Sequence, residues 1–155
     1  MKAAWIIATG PESVAAVDRL EIIADSFLSM NAPVQCALPA WLKGRELIQG
    51  QIQQRIGANL AELDRQLAGL PAVSRLDVEA GWYAVLRIPA LQSDEDTVLA
   101  LLEASVWVQP GYLFGMAESG WLVISLLAPE EEFGTGVTCL VNYLRTHQDS
   151  NSTAN

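Results

Sequence analysis

The sequence predicts an α+β fold: a small antiparallel or mixed sheet with helices packed on one face, preceded by a strand and a long connecting helix. Three observations predict it. Apolar residues recur at three- and four-residue steps over several stretches, as in helices with one buried face. Short β-branched and aromatic runs gather between Val73 and Leu126, bounded by Gly, Pro and Ser. Of the 155 residues, 51% are hydrophobic, enough to build a packed core.

The elements follow in order. Ala3 to Ala8 is apolar and β-prone, and predicts a buried strand. Thr9-Gly10-Pro11 ends it. Pro11 suits a first helical turn, and Glu12 complements the positive end of a helix. Val14, Val17, Leu20, Ile23, Ala24 and Phe27 then predict a helix over about 11–29. Ser29 to Pro33 is a break. Leu38, Trp41, Leu42, Ile48, Ile52, Ile56, Leu60, Leu63 and Leu67 predict a long helix running to Leu67, with a bend near Pro39. Gly44, Gly50 and Gly57 each weaken it by about 1 kcal/mol relative to Ala.

Gly69-Leu70-Pro71 stops that helix. Val73 to Val78 predicts an edge strand and Gly81 to Ile88 a stronger one. Ser93, with Asp96 three residues on, forms a capping box that opens a helix carrying Val98, Leu101 and Leu102. Strands at Trp107–Val108 and Leu122–Leu126 come next. Pro129 and Glu130-Glu131-Glu132 start a last helix to about Arg145, buried through Phe133, Val137, Leu140, Val141 and Leu144. The polar stretch from His147 on predicts a disordered tail. The chain thus divides into a strand-plus-helical part at 1–69, an α+β unit at 70–147 and a tail at 148–155.

Charge and composition narrow the function. Nine Lys and Arg face eighteen Asp and Glu, a net charge of −9. The basic residues are dispersed, so no nucleic-acid surface is expected. No apolar run reaches about 18 residues, so no membrane span is expected either. Cys36 and Cys139 lie far apart without metal-ligand spacing, which points to reduced, structural thiols in a cytoplasmic protein. His147 is the single histidine. That removes Ser-His-Asp and Cys-His arrangements, and the lack of His and Cys clusters removes a metal centre. Asp94-Glu95-Asp96 and Glu130-Glu131-Glu132 read as complements to helix ends.

The run Val106-Trp107-Val108-Gln109-Pro110-Gly111-Tyr112-Leu113-Phe114-Gly115, followed by Trp121 to Leu127, resembles the small domain of fold-type I pyridoxal-phosphate enzymes, in particular the class I/II aminotransferases. The opening Met1 to Ile7 resembles the end of that family's large domain. The helix from Val34 resembles its interdomain connector, and Gly81 to Pro89 and Ala128 to Phe133 resemble further small-domain elements. The resemblance spans most of the chain. It implies amino-group transfer between an amino acid and a 2-oxo acid, on pyridoxal phosphate, in a complete enzyme.

It also implies roles for particular residues. Lys2 matches a cofactor-phosphate contact, Asn31 a cross-subunit substrate contact, and Tyr112 and Phe114 a substrate-pocket rim. The family's Schiff-base lysine has no counterpart here, since its place falls before Met1; no catalytic residue is expected and the chain alone is expected to hold no coenzyme. Many members carry an arginine that clamps the substrate carboxylate where this chain has Val123. Arg87 is the candidate substitute, because a planar guanidinium binds a carboxylate through two parallel hydrogen bonds. An amino-acid substrate is then expected only where a large domain completes the site. The alternative is a non-catalytic module of this fold that binds a ligand or protein or self-associates. Its orphan apolar strand at Trp5 to Ala8 predicts a homo-oligomer built through the N-terminal strand and helix.

Overall fold

The computed structural model describes residues 3–27 and 30–152, the last five by backbone alone. The chain divides into two compact units, Met1–Gln49 and Gly50–Asn155. The division falls earlier than the expected one after residue 69, within the long third helix.

In the first unit, α1 spans Ser13–Phe27 and α2 spans Ala32–Lys43. Asn31 caps α2, its Oδ1 accepting the Val34 N–H at 3.1 Å. The strand expected at Ala3–Ala8 does not form: these residues are irregular, and Trp5, Ile6 and Ile7 are 63–79% exposed. A strand exists only by pairing, and every described strand lies beyond residue 73. The helix α1 forms close to its expected bounds, yet none of its residues is buried. Its apolar stripe faces no core; Val14 is 73% and Phe27 81% exposed. Pro39, where a bend was expected, sits inside α2 without ending it, and the single long helix expected to Leu67 is interrupted at Gly44 instead. A proline removes one hydrogen bond, whereas Gly44 closes the helix by donating its N–H to Ala40 and Leu42.

Helix α3, Arg45–Leu67, crosses into the second unit and buries Asn59, Leu63 and Leu67 there. The sheet follows: β1 (Ser74–Arg75), β2 (Tyr83–Arg87), β3 (Gln109–Pro110) and β4 (Trp121–Ser125), in the order β1-β2-β4-β3 with every pairing antiparallel. Helix α4 (Asp94–Glu103) links β2 to β3, and α5 (Glu130–Ser152) follows β4. Ala84, Leu86, Leu122 and Ile124 turn one sheet face to a core completed by Leu63 and Leu67 of α3, Leu101 of α4 and Phe133, Val137 and Leu140 of α5. The α+β class with helices on one sheet face is therefore the architecture observed.

The edge strand expected over Val73–Val78 pairs only at Ser74–Arg75, and two further boundaries differ from the sequence reading. The strand expected at Trp107–Val108 forms two residues later, at Gln109–Pro110. Val106 and Val108 are spent on the core instead. The chain leaves α4 through Ser105, whose φ is +63°, with Ser105 N–H on the Leu102 carbonyl and Val106 N–H on the Leu101 carbonyl. That is a Schellman closure with serine in the left-handed position. The second difference is α5, which runs through Ser152 past the expected onset of a tail at His147. Extension of a formed helix costs little, and the Tyr143 and His147 rings stack at 4.1 Å one turn apart. Among the described residues no helix is long and apolar enough to cross a membrane.

Candidate functional site

The pairing of β2 with β4 defines two sheet faces. Strand alternation puts Tyr83, Val85 and Arg87 opposite the core, facing Ser125, Val123 and Trp121 across the ladder. The 3-10 turn Gly111–Phe114 bends towards this second face. The Phe114 ring meets Tyr83 nearly edge-on, with centroids 5.5 Å apart at 66°. Two glycines make the arrangement possible. A Cβ at Gly111 would collide with Trp121 Cβ and crowd Met116 Sδ. Gly120 has φ +96°, and a Cβ there would stand 2.7 Å from the Ile88 carbonyl oxygen. Only glycine meets both demands.

Arg87 is the cation of this face. Its guanidinium lies over the Trp121 ring, 4.7 Å from the centroid, and donates from Nη1 to the Ser119 carbonyl at 2.8 Å. Nη2 stands 3.8 Å from the exposed Glu118 carboxylate. The arginine therefore braces the 118–121 turn while remaining partly open to solvent. Val123, beside it on the face, is 2% exposed and apolar.

Asp94 holds the far side of the same turn. It is 5% exposed, and its Oδ1 accepts the Gly120 N–H at 2.5 Å and the Trp121 N–H at 3.4 Å. The sequence marked Asp94 only as one of three acids in a first helical turn. Nothing local shows that its partners lie 26 and 27 residues further on. Ser93 caps α4 as expected, accepting the Asp96 N–H at 3.1 Å, but the Asp96 carboxylate accepts the Ser93 hydroxyl at 2.6 Å. The reciprocal bond of a full capping box runs to a backbone N–H; here a side-chain bond replaces it.

The structure thus brings Arg87 and Phe114 to one face with Tyr83 and Trp121. Alternation along the strands marks Tyr83 and Trp121 once the register is known. Tyr112, 52% exposed, lines instead a groove of about 170 Å³ with Asp94, Met116 and Glu118. Asn31 lies in the first unit, where its side chain caps α2. Lys2 lies outside the described residues. Lys43, the other lysine, is exposed in the last turn of α2. A Schiff base needs an amine aimed into an enclosed pocket, so the described residues do not by themselves fit a pyridoxal phosphate site.

No family model matches the chain, and no curated protein sequence does. Solved structures do. A PLP-dependent aminotransferase from Streptococcus suis superposes with a TM-score of 0.73 at 22% identity, over 85% of this chain and 35% of that one. The α-aminoadipate aminotransferase of Thermus thermophilus, solved with N-(5'-phosphopyridoxyl)-L-leucine, gives 0.68 at 21% identity, over 86% and 36%. A probable N-succinyldiaminopimelate aminotransferase, also from Thermus thermophilus, gives 0.69 at 25% identity, over 84% and 35%. The chain spans about a third of the length of each of these proteins. Its fold is that of a part of the PLP-dependent aminotransferases.

Proposed function

We propose that this chain acts as the small-domain portion of a cytoplasmic, pyridoxal-phosphate-dependent aminotransferase-like enzyme, with the second face of the β2–β4 pair turned to the substrate. In this reading the reaction is amino-group transfer between an amino acid and a 2-oxo acid, and the coenzyme is held by protein outside this chain. The coenzyme would supply the electron sink; this chain would supply an aromatic wall and one guanidinium. The observation that carries the reading is the superposition on a third of several aminotransferases at TM-scores of 0.68 to 0.73. Two free thiols, Cys36 exposed and Cys139 partly so, accord with a reducing compartment. The chain alone is not catalytic in this reading. The test is to add pyridoxal phosphate to the chain, reduce with borohydride and map any modified lysine. No specific adduct, together with a lysine-bearing large domain encoded in frame with Met1, supports the proposal. Stoichiometric trapping on Lys43 or Lys2 with transaminase activity overturns it.

A second reading is favoured by a different observation. Trp5, Ile6, Ile7, Val14, Val17 and Phe27 in the first unit are 51–81% exposed. Large apolar patches of this kind serve association. The chain would then be a self-associating module, a homo-oligomer formed through residues 3–27. Light scattering coupled to size exclusion, at micromolar concentration, decides it: a clean monomer removes this reading.

A further inference from the structure

A groove of about 400 Å³ opens between α5, the end of β4 and the connection from α4 to β3. Its floor is core: Ile124, Phe133 and Val137 line it and are at most 6% exposed. It therefore lies on the opposite side of the sheet from Arg87 and Val123. The volume falls within the range of small-molecule sites.

Three features of the groove point to an occupant. Trp107 lines it and is 80% exposed, while its neighbours Val106 and Val108 are 7% and 4% exposed. An indole left in water beside an apolar recess offers a stacking surface. Gly136 lies inside α5, where glycine costs about 1 kcal/mol relative to alanine. No atom lies within 4 Å of the place its Cβ would take, so no packing neighbour demands it. What the glycine gives is clearance above the helix. Glu132 lines the same groove one helical turn earlier, so one carboxylate stands at the rim.

We propose that this groove binds a primary arylalkylammonium cation, with its ring against Trp107 and above Gly136 and its ammonium on Glu132. A neutral aromatic fills the recess but leaves the carboxylate unused. An aromatic acid meets Glu132 and the −9 charge of the chain. The site is independent of the aminotransferase reading, since it lies on the other side of the sheet.

The experiment titrates phenethylamine, 2-phenylethanol and 3-phenylpropionate against the full chain, followed by the Trp107 indole N–H resonance, which Trp107→Phe identifies. Phenethylamine should saturate that resonance, 2-phenylethanol should bind about tenfold more weakly, and 3-phenylpropionate should not bind. Glu132→Gln should abolish the preference for amine over alcohol, and Gly136→Leu should abolish binding of both. Trp107→Ala, at an exposed position that leaves the fold intact, removes that resonance and is followed by calorimetric titration instead; it should weaken phenethylamine about tenfold. Equal response to amine, alcohol and acid overturns the proposal. So does binding that survives Trp107→Ala unchanged.

Discussion

Replacing Asp94 with alanine tests how the start of β4 is held. The carboxylate is 5% exposed and accepts the Gly120 and Trp121 N–H groups, at 2.5 and 3.4 Å. Removing it leaves the buried Gly120 N–H without this acceptor, and a hydrogen bond to a charged group contributes about 1.5–3 kcal/mol. Asp94 is also the first residue of α4, where a negative charge adds about 0.3–1 kcal/mol. Asp94→Ala should therefore destabilise the chain by about 2–4 kcal/mol. For a chain of this size that is a fall in Tm of roughly 5–15 °C. Asp94→Asn keeps an acceptor and gives up only the charge, so it should cost about 1 kcal/mol. Urea unfolding followed by far-ultraviolet circular dichroism measures both, with the slope against urea unchanged between variants. An alanine variant within about 0.5 kcal/mol of the parent, the range of an ordinary surface substitution, would refute the reasoning.

Ser105→Gly should stabilise by about 0.5–1 kcal/mol in the same urea experiment, because serine at φ +63° carries a left-handed penalty that glycine escapes. Gly111→Ala should destabilise by about 1–3 kcal/mol, since the new methyl meets Trp121 Cβ rather than a movable chain end. Hydrogen bonds from Arg65, then Gln66, hold the Glu62 carboxyl down at about 2, against an ordinary 4.5. A depressed carboxyl stabilises the fold above 4.5 and loses that contribution as the pH falls towards 2. The urea-midpoint difference between the parent and Glu62→Gln should therefore shrink across that window, and high salt should shrink it at all pH values. In the proposed reading, with a large domain completing the site, Glu118→Gln should tighten binding of a 2-oxo acid to the Arg87 face about 2- to 5-fold, as removal of a surface ion pair allows. Calorimetric titration checks it, and Arg87→Met should bind nothing.

The core-building parts of this fold were legible in the sequence because their signals are local. Helical periodicity placed α3, α4 and α5, and α1 as well, although α1 buries nothing. The β-branched and aromatic run between Gly81 and Ile88 placed β2, and Ser93 marked the start of α4. The misses are non-local. Ala3–Ala8 has the composition of a strand, but composition supplies no partner. The stripe on α1 has helical spacing, yet spacing does not say whether a neighbour will cover it. Trp107–Val108 has the apolar, β-prone composition of a strand, whereas the left-handed turn at Ser105 delays pairing to Gln109. In the site, Arg87 and Phe114 were visible as residue types near turns. Tyr83, Trp121 and Asp94 became part of it only through a register and a turn whose hydrogen-bond partners stand 26 residues apart in sequence.

Val123 gives the second face its character. Across the ladder it opposes Val85, and it is 2% exposed. An arginine placed there would lose most of its water, and a buried unpaired charge costs several kcal/mol, so the position does not tolerate a cation without rebuilding what surrounds it. In the proposed reading, carboxylate recognition on this face would then run through Arg87, the next residue after Val85 on the same side of β2. That guanidinium is already committed on two sides, to the Ser119 carbonyl and the Trp121 ring. The bond to Ser119 and the stack on Trp121 fix its plane, so little side-chain entropy remains to be lost when an anion arrives. Its third contact, Glu118 at 3.8 Å with 83% of the side chain exposed, is the weak one. Exposed pairs of this kind contribute at most about 1 kcal/mol, less than a carboxylate bound through two parallel hydrogen bonds. In that reading a substrate anion would displace Glu118 and leave the brace on the turn in place, so the glutamate, and not Val123, would set how strongly this face holds an acid.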